Sequence, residues 1–273
     1  MTELLNILNW LLPLIYAAVL IEYGIAFFLR VKTTGRNYWL LPAVALHAAF
    51  LVLLGVSAGR AIPVTNYEVL SVLALATAVV YGVVEFAVQD RRTGVFVFIA
   101  VFLFQYTSSV FLPRAGWGLA AGGAAHYERA PLHILPATVA YTGFTIAAIY
   151  GLLYLAVRRN LKQHRIGVFF DRLPSLEMLG KMSWHAMLLG FAFITLSVLS
   201  GAIMLSKGPA VHPAHWEPKI VSKILAGSAA WVIYAIAVAG KCLGRWPMAR
   251  LACVAVYGLV IVISMLIASI ALS

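Results

Sequence analysis

Charged side chains are scarce in this sequence. Only 11% of the residues are charged, and 63% are hydrophobic, whereas soluble domains carry about 25% charged residues. The apolar residues come in continuous runs of about 20, the length that crosses a hydrocarbon core of about 30 Å. Alternation of polar and apolar residues in short segments is missing, which excludes a transmembrane β-barrel. The sequence therefore predicts an all-α, polytopic membrane helix bundle.

Cysteines and the common hydrolytic motifs are also scarce. Cys242 and Cys253 are the only cysteines, and they form no C-x-x-C pair, so a thiol-redox function is not indicated. No stretch resembles a nucleophile elbow, a zinc-protease helix or a phosphate-binding loop. We therefore expect a binding or transfer protein rather than a stand-alone catalyst.

Eight membrane spans are predicted from the apolar runs, at residues 7–29, 38–58, 68–89, 95–112, 133–157, 182–205, 220–240 and 248–271. The connections are short and rich in turn residues such as Gly, Asn and Asp. They leave no room for a soluble domain. We expect a single integral membrane domain over residues 1–273, with an N-terminal four-helix part at 1–129 and a second part at 130–273.

Basic residues are distributed unevenly among the loops. The loops after spans 1, 3, 5 and 7 hold most of the 20 Lys and Arg residues, and the positive-inside rule places them in the cytoplasm, with both termini outside (N-out/C-out). Arg158, Arg159, Lys162 and Arg165 dominate this signal. The net charge of +11 therefore indicates topology and contact with membrane lipid, not nucleic acid. We expect a multi-pass protein of a bacterial inner membrane.

His133 opens the fifth span at its outer end. A neutral imidazole at a membrane boundary can donate a nitrogen to haem iron, while the macrocycle is buried among apolar side chains. The alternative is an interfacial histidine that is hydrogen-bonded to a loop carbonyl. Both interpretations stay open from the sequence alone.

The outer loop between spans 6 and 7 contains His212 and His215. Either could complete a bis-histidine haem site with His133, and His133 and His215 are the axial pair that we name for the iron. Trp216 could stack on the porphyrin, and Lys219 or Lys223 could pair with a propionate. The alternative is a solvated polar loop without a ligand.

Two further histidines lie inside spans, His47 in span 2 and His185 in span 6. Ionisable groups within the membrane are costly and are functional candidates by default, as are Glu22 and Glu85. For His185 and Glu85 the alternative is a side chain that snorkels to the interface. The depths of His47 and His185 differ by about five residues, or roughly 8 Å, which is awkward for two ligands of one haem.

Glycines inside the later spans predict close contacts between helices, because small residues let two backbones approach. The positions that we single out are Gly190, Gly201 and Gly227, with the small residues around the last, Ala226, Ser228, Ala229 and Ala230.

Four blocks of the second half resemble the cytochrome c assembly protein family, which includes CcsA-type haem handlers and HemX-type relatives. The resemblance covers about residues 130–271, and Trp216-Glu217-Pro218-Lys219 is similar to the end of the family's tryptophan-rich haem motif. The other blocks are His133–Tyr141 with Tyr150–Leu155, Leu179–Phe191 with Thr195–Ala202, and Ala230–Tyr234.

The resemblance implies haem b held at the outer face, with His133 at the first histidine position of the family. It also implies that His47 and His185 correspond to the family's transmembrane histidines. The loop has a single Trp, and Glu217 replaces the motif's Asp. Together with the short loops, these features resemble the smaller HemX-type branch.

The expected function is therefore haem binding and handling in cytochrome c biogenesis, with haem presented at the outer face. A separate assembly partner with a periplasmic domain would be needed for haem attachment. Two alternatives stay open: a regulatory or accessory membrane protein that binds haem weakly or not at all, and a b-type cytochrome subunit for electron transfer.

Overall fold

The computed structural model describes residues 2–29, 39–59, 65–113, 130–164, 172–207 and 218–271. These residues form eight long helices and no strand. Each helix is long and apolar enough to span a membrane, which confirms the predicted all-α membrane bundle. The helices are α1 (Thr2–Phe28), α2 (Leu40–Ser57), α3 (Asn66–Val88), α4 (Gly94–Phe111), α5 (Ala130–Lys162), α6 (Leu176–Lys207), α7 (Pro218–Cys242) and α8 (Met248–Ala271).

The helix ends follow local chemistry as well as hydropathy. Thr65 and Glu68 form a capping box that starts α3, since each side chain binds the other's backbone N–H. α3 ends where Gln89 adopts a left-handed conformation, with φ of 56°. α5 and α6 extend several residues beyond the predicted spans, because their polar end turns continue the helix outside the apolar run.

The chain forms two compact units, Met1–Tyr127 and Glu128–Ser273. We call them unit 1 and unit 2. The division lies two residues from the one predicted after residue 129. The expectation that both belong to a single membrane domain stays a prediction.

Unit 1 is a ring of four helices in which α1 packs on α2 and α4, and α3 packs on the same two helices. Three side chains of α1 at seven-residue intervals point into the ring: Asn9, Tyr16 and Tyr23, each at most 1% exposed. Phe98 of α4 lies between the two tyrosines, with its ring centroid 6.1 Å from Tyr16 and 5.0 Å from Tyr23. Polar residues are therefore buried at several depths of this unit.

Unit 2 is organised around α5, the most buried of the eight spans, which packs on α6 and α8. α5 and α6 run antiparallel. Ser183 Oγ donates to the carbonyl of Ala147 at 2.8 Å, and His133 contacts Ser197 further along. A Cβ on Gly143 would lie 2.9 Å from Cα of Gly190. Only glycine allows this approach, as expected for helix pairs in membranes.

The predicted glycine contacts are confirmed at two of the three positions. A Cβ on Gly190 would lie 2.6 Å from the Phe144 ring, and one on Gly201 would lie 3.0 Å from the His133 imidazole. At Gly227 a Cβ would meet nothing within 4 Å, so the prediction was wrong there. Ala226 and Ala230, which were predicted with it, are fully buried on α7.

Candidate functional site

The imidazole of His133 is held against α6 by a backbone hydrogen bond. His133 Nδ1 lies 2.8 Å from the carbonyl oxygen of Ser197. Since a carbonyl oxygen can only accept, Nδ1 is the nitrogen that carries the proton. Ser197 Oγ in turn donates to the carbonyl of His133 at 3.2 Å. The two residues therefore bind each other reciprocally across the α5–α6 contact.

This arrangement leaves Nε2 of His133 as a nitrogen with a free lone pair. No hydrogen bond from Nε2 to any residue in the described ranges is found, and the side chain is half-buried. A histidine that donates Nδ1–H to a backbone carbonyl and directs Nε2 elsewhere has the form of a metal-ligating imidazole, because the hydrogen bond fixes the tautomer and raises the basicity of the ligand. The geometry therefore fits an axial ligand for haem iron.

Gly201 makes room for this imidazole. A Cβ at Gly201 would lie 3.0 Å from His133 Nδ1 and 3.1 Å from Cε1. Any larger residue would push the ring away from the Ser197 carbonyl. Gly201 thus preserves the hydrogen bond that sets the tautomer of His133.

Lys223 of α7 lies at the level of His133. The rings of Phe144 and Tyr234 stack with centroids 3.6 Å apart, and α5 and α7 run in the same direction because both are antiparallel to α8. His133 and Lys223 each lie eleven residues before these stacked rings. The two residues therefore share one end of unit 2, which we call the His133 end.

Of the other predicted site residues in unit 2, only His185 has a side chain that the structure describes. His212, His215 and Trp216 lie outside the described residues, and so does the side chain of Lys219, which is in the first turn of α7. His185 is exposed on α6. It lies two residues from Ser183, which contacts Ala147, so its level is roughly 20 Å along α5 from His133. The structure does not bring His185 and His133 together.

His47 is fully buried in unit 1 and uses both ring nitrogens. Tyr16 Oη lies 2.8 Å from Nδ1, and Ser71 Oγ lies 2.9 Å from Nε2. Ser71 donates its single proton to Gln105 Oε1 at 2.9 Å, so it must accept from His47. His47 therefore carries its proton on Nε2 and accepts from Tyr16. The two histidines, His47 and His133, are in opposite tautomers.

The hydrogen-bonded chain continues from Gln105 to Asn9, in the early part of α1. Gln105 Nε2 donates to Ser109 Oγ at 3.0 Å, and Ser109 Oγ donates to the backbone carbonyl of Asn9 at 2.7 Å. Asn9 Nδ2 returns a bond to the carbonyl of Ser109 at 2.8 Å. We call this chain, from Tyr16 through His47, Ser71, Gln105 and Ser109 to Asn9, the unit 1 network. It joins all four helices.

The unit 1 network is suited to fixing helix positions rather than to carrying protons or iron. The amide of Gln105 interrupts proton hopping, since a primary amide does not readily exchange protons along a chain. Neither nitrogen of His47 is free to coordinate a metal without breaking a hydrogen bond. Interhelical hydrogen bonds of this kind stabilise helix association in membranes. The role of His47 as an iron ligand stays a prediction.

A second buried polar cluster lies at the end of unit 1 near residue 90. Arg91 Nη2 binds Glu22 Oε1 at 2.9 Å, and Arg91 Nε lies 3.4 Å from Glu85 Oε1. Tyr23 donates its hydroxyl to Glu85. The two glutamates were candidates from the sequence, but Arg91, which pairs both, was missed. Its position in a loop between charged residues resembles an ordinary solvated turn.

Comparison with protein families gives a match over most of the chain. The family model described as Cytochrome C assembly protein matches residues 11–270. The sequence motifs indicate the resemblance only over about residues 130–271. The family match is longer and also includes α1 to α4. No curated protein and no solved structure matches the chain.

Proposed function

This chain belongs to the cytochrome c assembly protein family, and on that premise we propose that it binds haem through His133 and presents it at the outer face of the membrane. Family membership supports a role in cytochrome c biogenesis, and the eight apolar helices support an integral multi-pass membrane protein. We also propose that the bound ligand is haem b, that the chain belongs to the HemX-type branch of the family, and that it lies in a bacterial inner membrane.

The observation that carries the proposal is the state of the His133 imidazole. Its Nδ1–H is committed to the Ser197 carbonyl at 2.8 Å, and Gly201 provides the space for the ring. Nε2 is therefore the ring nitrogen left to coordinate iron, which a haem requires on an axial side.

Other residues are proposed around His133 by their place in the chain. His212 or His215 would supply the second axial nitrogen, and Trp216 would cover the porphyrin. Lys223, at the level of His133, or Lys219, four residues earlier, would pair with a propionate. Bound haem would bring the vinyl groups with which apocytochrome thiols react, and this chain would hold and orient it for an assembly partner.

The test is an absorption spectrum of the detergent-purified protein, oxidised and reduced, from haem-replete cells. We expect a Soret band with sharp reduced α and β bands. His133→Ala should lose or shift that band because it removes the Nε2 donor. The matched control is His164→Asn, which changes an exposed histidine at the other end of α5. Asparagine tolerates the left-handed backbone at 164, with φ of 51°.

Folding is checked by size-exclusion chromatography, so that loss of haem is separated from loss of structure. A folded His133→Ala protein with an unchanged spectrum would remove His133 from the site. His212→Ala and His215→Ala then identify the second ligand, because losing it should convert a six-coordinate spectrum to a five-coordinate one. Added imidazole should restore the original bands.

The two alternatives predict different results in the same experiment. A regulatory or accessory protein would be purified without haem and would not take up added hemin. A b-type cytochrome would hold haem between histidines on adjacent helices, so His47→Ala or His185→Ala would abolish the spectrum. The two hydrogen bonds of His47 weigh against the second alternative, because haem ligation there would cost one of them.

A further inference from the structure

At the end of unit 2 opposite His133, the helices α5, α6 and α8 pack closely against one another. A Cβ on Gly180 of α6 would lie 3.2 Å from Met248 Cε of α8 and 3.4 Å from the Tyr154 ring of α5. A Cβ on Gly151 would lie 3.1 Å from the carbonyl of Ala252. The last turns of α5 and the first turns of α6 and α8 are therefore fixed side by side. We call this the Arg158 end.

α5 continues beyond this meeting point. Since Gly151 lies against Ala252 and the two helices are antiparallel, Met248, the first residue of α8, is level with about residue 155. The helix nevertheless extends to Lys162, so about 10 Å of α5 projects past the start of α8. This projecting segment carries Arg158, Arg159 and Lys162 at the same end of unit 2 as the α7–α8 turn.

The charge at the Arg158 end is strongly positive. Arg158, Arg159, Lys162 and Arg245 have no ion-pair partner within the described ranges, and Arg250 stacks over the Trp246 ring with its guanidinium carbon 5.1 Å from the ring centroid. Glu177 is the acidic residue of α6 at this end, and Lys181 already binds it at 2.6 Å. The described residues thus present several cations without a matching anion.

Exposed leucines adjoin these cations. Leu243 is 85% exposed in the turn that contains Arg245, and Leu161 is 42% exposed in the segment that contains Arg159 and Lys162. A surface for a free phosphate or a soluble acidic protein has no need of bare leucines beside its cations. At the boundary of a membrane, charged lipid headgroups lie next to apolar acyl chains. Cations beside exposed apolar side chains at the ends of membrane spans are suited to this boundary.

We infer that the Arg158 end of unit 2 binds an anionic phospholipid, with the phosphates held by the projecting end of α5 and by Arg245 and Arg250. A lipid with two phosphates, such as cardiolipin, suits cations that come from two separate segments. The site lies at the opposite end of unit 2 from His133, and the inference does not depend on haem binding.

The test is native mass spectrometry of the full-length protein in detergent, titrated with cardiolipin and, separately, with phosphatidylcholine. Basic residues near the membrane contribute about fivefold each to the binding of anionic lipid. The triple variant Arg158→Gln, Arg159→Gln, Lys162→Gln should therefore bind cardiolipin about 100-fold more weakly. Arg92→Gln in unit 1, where Asp90 already pairs the arginine, is the single-charge control and should bind as the wild type does.

A second pair of variants keeps the inference testable if the triple variant misfolds. Arg158→Lys with Arg159→Lys conserves the charge and should keep cardiolipin bound. Arg245→Gln with Arg250→Gln alters the other segment and should weaken binding about 25-fold. Equal binding of phosphatidylcholine, unchanged binding after loss of the arginines, or displacement of cardiolipin by an equal concentration of inorganic phosphate would overturn the inference.

Discussion

Ser71→Ala removes a single hydroxyl group, but it should destabilise unit 1 more than so small a change suggests. The Ser71 hydroxyl accepts from His47 Nε2–H at 2.9 Å and donates to Gln105 Oε1 at 2.9 Å. It is the single link between α2 and α4 in the unit 1 network. Its removal deletes two hydrogen bonds and leaves a buried donor on His47 and a buried acceptor on Gln105.

The magnitude follows from these two bonds. Interhelical hydrogen bonds in membrane proteins average about 0.6 kcal/mol and reach about 1.7 kcal/mol. Two such bonds give a loss of about 1–3 kcal/mol. The upper part of this range is expected here, because both remaining groups are on side chains with 0% exposure and leaving a buried polar group unpaired costs about 1–3 kcal/mol.

Thr77→Val is the matched control for this loss. Thr77 lies on the same helix, is also fully buried, and donates its hydroxyl to the carbonyl of Leu73 within α3. Valine keeps the side-chain shape and removes only that local bond. We expect a change below about 0.5 kcal/mol, because Thr77 links no second helix.

The assay is reversible unfolding in mixed micelles by increasing the fraction of sodium dodecyl sulfate, followed by far-ultraviolet circular dichroism. The free energy of unfolding is compared between the two variants and the wild type. If Ser71→Ala and Thr77→Val differ by less than about 0.5 kcal/mol, the unit 1 network does not stabilise the fold as argued, and the hydrogen bonds of His47 would be incidental.

Two other predictions concern packing and pH. Gly190→Ala should lower the thermal midpoint, because the new Cβ would lie 2.6 Å from the Phe144 ring, whereas Gly227→Ala should leave it equal or higher, because nothing lies within 4 Å and alanine favours helix. Equal midpoints would refute the close α5–α6 contact. In the α3–α4 loop, burial would raise the pKa of Asp90, but the hydrogen bonds and charge of Arg92 outweigh it and hold that pKa below its usual 3.8. A depressed pKa adds stability above 3.8 that is lost as the pH falls below it, so Asp90→Asn should lower the midpoint near about pH 6. The difference should shrink as the pH falls below 3.8; a gap of unchanged size at low pH would refute the ion-pair origin.

The buried polar residues show where the sequence alone gives an incomplete account. His47 and Glu22 are visible as costly groups inside spans, but their partners are not. Ser71 and Gln105 are common residues in membrane helices, and Arg91 lies in a charged turn. They become recognisable only once the helices of unit 1 are brought into register, since the bonds join residues that lie 24 and 34 positions apart along the chain.

The sequence by itself determined the membrane class, the eight spans and the prominence of His133. These properties depend on local composition, because the hydrocarbon core selects for long apolar runs and leaves polar residues conspicuous. The tertiary structure decided what each histidine can do. The Ser197 carbonyl places the proton of His133 on Nδ1, and Ser71 places that of His47 on Nε2, because a tautomer is set by the partner that packing brings to each nitrogen. That partner lies on another helix in both cases, where no local pattern specifies it.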